Sequence, residues 1–104
     1  MVYKDVTSTS AWVDIVTAGD RDVGKIREII IENASGADAV VQLRDEYIPY
    51  GSSSASHNTI LERTVTNAEK VFEIRGLKGL KFIGKLQIQT DQQPLKVTVG
   101  IEWE

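Results

Sequence analysis

The chain has 104 residues, 41% of them hydrophobic and 26% charged, with a net charge of −3 and an isoelectric point near 5.1. One domain over 1–104 with one modest core is expected at this length, and the acidic balance argues against nucleic acid or an anionic membrane as the main partner. The absence of cysteine excludes disulfides, thiolate zinc sites and a cysteine nucleophile; no run approaches the roughly 18 apolar residues of a membrane helix, and MVYKDVTSTS lacks the regions of a signal peptide, so cytoplasmic synthesis is expected.

The segments read as strands. MVYKDV (1–6) is a possible edge strand. AWVDIVT (11–17) sets Ala11, Val13 and Ile15 against Trp12, Asp14 and Val16, the two-residue period of a half-buried strand. GDRDVG follows as a turn. KIREIIIEN (25–33) has a helix-compatible composition, but three consecutive isoleucines lose rotamer freedom in a helix and pack well on a pleat, so a strand buried partly on both faces is expected. ASGAD (34–38) is the next break, with Gly36 supplying a permissive backbone and Asp38 a turn-forming side chain. AVVQLRD (39–45) alternates again, and two strands joined by five residues predict a hairpin.

EYIPYGSSSASHN (46–58) reads as a long irregular loop of thirteen residues, a length at which loops are often functional. TILERTVT (59–66), KVFEIRGL (70–77) and LQIQT (86–90) continue the strand pattern. In GLKGLKFIGK, Gly76, Gly79 and Gly84 mark bends where the chain changes sheet. The lysines Lys78, Lys81 and Lys85 keep exposed edges soluble. The end, PLKVTVGIEWE, alternates Leu95, Val97, Val99, Ile101 and Trp103 with polar residues and glycine, so it should lie within a sheet and pin the core. About eight strands at sandwich-like spacing predict an all-β, single antiparallel β-sandwich.

Chemistry-bearing residues are few. His57 is the only histidine and stands near Ser53, Ser54 and Ser56, but a nucleophile needs a rigidly placed base with its own orienting group, and a solvated loop histidine is expected instead. Asp20 and Asp22, or Asp45 and Glu46 with His57, lack the further ligands of a calcium loop, so no metal site is expected. GLKGLKFIGK lacks the G-x-x-x-x-G-K-[ST] phosphate cradle. No catalytic residue and no cofactor follow from these patterns. The acids available for a glycosidase pair sit at turns and on polar strand faces, where a solvated role is expected. Trp12, Tyr47, Ile48 and Tyr50 are the candidate interface residues, because tyrosine and tryptophan are enriched at binding surfaces.

The order of segments, TSTSAWVDIVTAG, KIREIIIENASGADAVVQLRD, a long loop, FEIRGL, LQIQT and KVTVGIEWE, resembles the small β-sandwich virion proteins of tailed bacteriophages, among them head-decoration and related accessory proteins. The "strand, N-A-S-G, strand" hairpin, the final hairpin LQIQT…VTV and the aromatic near the C-terminus carry the likeness, which covers most of the chain. No functional residue is matched by a motif. The resemblance implies a jelly-roll-like sandwich and a place in the virion after synthesis in the host cytoplasm. It also implies binding to the major capsid protein or other virion proteins, often as a homotrimer. Expected alternatives are a tail or neck component, a carbohydrate-binding module using Trp12, Tyr47 and Tyr50, and a small hydrolase using His57.

Overall fold

In the computed structural model, which describes residues 2–18, 23–92 and 94–104, all regular structure is β. The described strands are β1 (Val2–Ser8), β2 (Val13–Thr17), β3 (Gly24–Asn33), β4 (Ala39–Tyr47), β5 (Ser56–Val65), β6 (Val71–Ile74), β7 (Lys81–Phe82), β8 (Lys85–Thr90) and β9 (Leu95–Trp103). They form two antiparallel sheets. Sheet A runs β1-β9-β3-β6, with the short β7 also on β3, and sheet B runs β2-β8-β4-β5.

Leaving the two-residue β7 aside, the pairs β1·β9, β2·β8, β3·β6 and β4·β5 nest inside one another. A long hairpin rolled up on itself produces this nesting, and its two sheets are the two layers of a jelly roll. The molecule is a flat block of 45 × 28 × 18 Å, its short axis set by two sheets packed about 10 Å apart.

Period-two burial explains the core. On β4, Ala39, Val41 and Leu43 are fully buried, while Val40, Gln42 and Arg44 face outward and stay half-buried. β9 contributes Leu95, Val97, Val99 and Ile101, and β8 contributes Leu86 and Ile88, all at zero exposure. Each such side chain contributes about 1.5–3 kcal/mol on leaving water. β9 lies between β1 and β3, the internal position its alternation predicts. Trp103 departs from that alternation: it is 36% exposed and meets Phe82 edge-on at a 5.7 Å centroid distance.

Three bulges revise the strict alternation expected from sequence. On β3 the register passes from Ile26↔Ile101 to Glu28↔Gly100. Arg27 is therefore extra, and Ile26, Ile29 and Ile31 all reach the core despite uneven spacing. On β2 the register skips Ile15, so Ile15 and Val16 both pack against the core instead of pointing apart. On β5 it skips Ile60, and Ile60 and Leu61 both pack inward.

The two hairpins expected from sequence are not formed. β3 lies in sheet A and β4 in sheet B, and β8 and β9 are likewise in different sheets. The 34–38 connection is an arch over the end of the sandwich. Asn33, only 3% exposed, builds it: its Nδ2 donates to the carbonyls of Ala37 (2.8 Å) and Val65 (3.0 Å), and its Oδ1 accepts from Ser35 N (3.0 Å) and Ser35 Oγ (2.6 Å). These bonds satisfy main-chain groups at the end of the sandwich, as buried backbone requires. Asp38 Oδ1 then accepts from Asn67 N at 2.8 Å, tying the arch to the β5–β6 turn.

The 46–58 loop expected from sequence is shorter than its composition implies. Glu46 and Tyr47 continue β4, and Ser56, His57 and Asn58 begin β5, leaving 48–55 as the hairpin connection. The glycine-rich segment does change sheets, between β7 on β3 and β8 on β4. Gly76 and Gly79 sit at φ +68° and +86°, a region that favours glycine. Gly84 is required by space: a Cβ there would stand 2.1 Å from Glu46 O and 2.9 Å from Tyr47 Cα.

Candidate functional site

The free end of the β4–β5 hairpin is held from below and open above. Asp45 is buried at the base, and its two carboxylate oxygens accept from Ile83 N (2.8 Å) and Gly84 N (2.9 Å). On the outer face beside it, Glu46 Oε2 lies 3.0 Å from His57 Nε2 and 3.7 Å from an Arg44 terminal nitrogen. Beyond this base the chain makes only local bonds: Ser52 N donates to Pro49 O (3.0 Å) and Ser54 N to Ser52 Oγ (3.1 Å). Ile48 is 65% exposed, and Tyr50 is fully exposed.

The four candidate interface residues therefore separate. Ile48 and Tyr50 share the open tip, and Tyr47 is half-buried at the end of β4. Trp12 precedes β2, and the Arg44 guanidinium lies over its ring at 3.9 Å, a cation–π contact that fixes both side chains. Among the described residues, the one ring-to-ring contact is Phe82 with Trp103, so Trp12, Tyr47 and Tyr50 do not form a shared stacking platform.

His57 is on a strand rather than in the loop expected for it. Its ring is 44% exposed, and its partner is the Glu46 carboxylate. The Ser52 hydroxyl instead donates to Ser54 O and accepts from Ser54 N. Asp45 points at the 83–84 amides, so it does not join Glu46 and His57 in one donor set. Among the described residues, no three His, Cys, Asp or Glu side chains converge to hold a metal ion. Asp20 and Asp22 lie outside the described residues.

Across the outer face of sheet B runs a polar network that sequence reading missed. Arg44 Nε donates to Gln87 Oε1 (2.8 Å), and Gln87 Nε2 donates to Asp14 Oδ1 (2.8 Å), joining β4, β8 and β2. One row along, Gln42 stands opposite Gln89, and Gln89 Nε2 donates to Ser10 O (2.6 Å). The polar alternation in VVQLRD and KLQIQT is the signal for a wet outer face. The partners lie 43 and 73 residues apart, so their meeting depends on the sheet order. A depression of about 590 Å³ opens on this face, lined by Ser10, Val40, Gln42, Gln89, Thr90 and Asp91.

The outer face of sheet A carries a second polar group. Gly100 lies between Tyr3 and Glu28 in the register, so no side chain separates them. Hydrogen bonding to Glu28, then loss of water contact, pushes the Tyr3 phenol pKa above its ordinary value. Arg75 lies 3.6 Å from Glu28 and also pairs with Glu73; the Glu73 hydrogen bond is the leading cause that raises the Arg75 pKa. These are solvent-facing ion pairs of small individual worth.

Compared with protein-family models and with curated proteins, the chain matches none. Among the described residues, no helix is long and apolar enough to cross a membrane.

Proposed function

We propose that the chain is a non-enzymatic virion structural protein of a tailed bacteriophage, a capsid decoration or accessory module that docks on an assembled protein lattice through the β4–β5 tip. The segment order supports the family assignment. The observation that carries the docking role is the joint exposure of Ile48 and Tyr50 on a short connection whose base is held by Asp45 and Gly84. Aromatic side chains presented on a stiff support lose little freedom on binding and dominate interface energies. Several copies acting together, as in a trimer, multiply a modest single-site affinity through effective concentration.

The test is the composition of purified virus particles by mass spectrometry and electron microscopy, with and without the intact gene. The protein is expected on the particle at a regular copy number. Tyr50→Ala should reduce its occupancy about 30-fold or more at limiting protein, corresponding to a central aromatic contact of about 2 kcal/mol. Absence of the protein from purified particles overturns the proposal.

A further inference from the structure

We infer that the depression on the outer face of sheet B is a binding site for a neutral saccharide. Its lining is chemically selective. Gln42 offers an amide that takes no side-chain hydrogen bond from the described residues. Gln89 is anchored through Nε2 to Ser10 O (2.6 Å) and keeps its carbonyl oxygen free to accept. Asp91 is anchored through Oδ1 to Val40 N (2.8 Å) and keeps its second oxygen. Ser10 adds a hydroxyl, and Val40 supplies an apolar patch.

Amide, carboxylate and hydroxyl groups side by side provide both donors and acceptors, the complement of adjacent sugar hydroxyls, each of which donates and accepts. Among the described residues, the lining has no lysine, arginine or aromatic side chain, which disfavours phosphate, sulfate and a stacked nucleobase. One carboxylate is too few for a calcium shell of six to eight oxygens. The volume of about 590 Å³ falls within the range of small-ligand sites, about 300–1,000 Å³, and the lining mixes polar groups with apolar surface, as the two sides of a sugar ring require. Preformed bonds on Gln89 and Asp91 reduce the ordering cost of binding.

The site extends beyond a single ring. Arg44 and Gln87 form the next register row on the same face, fixed by Asp14 and by the Trp12 ring. Of this row, a longer oligosaccharide can reach Arg44, because the Gln87 amide is buried and is used at both ends by Arg44 and Asp14. The depression flanks the start of β4, whereas Ile48 and Tyr50 lie beyond its end, so the two surfaces are separable by mutation.

The test is an amide-correlation NMR titration of the full chain with cellohexaose, xylohexaose, maltohexaose and chitohexaose at millimolar concentration. At least one is expected to give saturable shifts confined to Ser10, Val40, Gln42, Gln89 and Asp91, with smaller ones at Arg44 and Gln87. Gln42→Ala should keep the dispersed spectrum and bind that sugar about fivefold more weakly, the loss of one neutral hydrogen bond. Tyr50→Ala should titrate as the parent does. The inference is overturned if none of the four sugars shifts these residues, if shifts appear only elsewhere, or if Gln42→Ala binds like the parent.

Discussion

The connection that leads into β4 and the one that leaves it both use glycine, serine and alanine to turn the chain, yet they do opposite things. The 34–38 arch is held by a buried asparagine whose amide reaches Val65 O, 32 residues away, and by Ser35 and Asp38. The 48–55 tip satisfies itself with short-range serine bonds and leaves Ile48 and Tyr50 in solvent. Their shared glycine, serine and alanine do not separate the two. The difference lies in whether one side chain is carried inside the sandwich, where polar groups taken out of water must be paired. An arch built that way holds the sheets together, and a tip built the other way is free to meet a partner.

The sharpest way to break this contrast is at the base of the tip. Gly84→Ala forces a methyl onto the backbone of Glu46 and Tyr47 and displaces the amides that Asp45 holds. A loss of about 3 kcal/mol is expected from overpacking against main chain, read as a lowered urea midpoint; an unchanged midpoint would show that the base of the tip is as yielding as its end. Asn33→Ala comes next, at about 2–3 kcal/mol, because buried carbonyls and the Ser35 amide lose their partner. Its signature is early hydrogen exchange near 33–38 and at the end of β5, and a loss below 0.5 kcal/mol would remove the arch from the argument. Smallest is the stability effect of Tyr50→Ala, within about 0.5 kcal/mol as for an exposed residue free of special contacts. A larger thermal or urea shift would mean that the tip contributes to the fold.

Strand content was legible because burial on one face imposes a two-residue period, as in Val41 and Leu43 against Gln42 and Arg44. The paired sheets and the internal place of β9 followed from the same signal. Strand pairing was not legible at 34–38, where ASGAD suits a hairpin turn and an arch equally, and only the distant Val65 carbonyl decides between them. The bulges at Ile15, Arg27 and Ile60 escaped because an extra residue carries no composition of its own. At the candidate sites, the exposed tip could be anticipated from aromatics that break the alternation in EYIPYG. The row Asp14–Gln87–Arg44 could not, since its members come from three strands whose adjacency is a property of the roll.

That nesting also sets an order of assembly. Closing a chain loop costs entropy that grows with its length, and contacts between distant residues slow folding. In β4·β5, Leu43 meets Leu61, whereas in β1·β9, Asp5 meets Thr98. Each inner pair shortens the loop that the next pair outward must close, so the roll is expected to zip from β4·β5 to β1·β9. Pulse-labelled hydrogen exchange would show this as protection of β4 and β5 ahead of β1 and β9. The hairpin that carries the exposed Ile48 and Tyr50 would then be in place before the first and last strands meet.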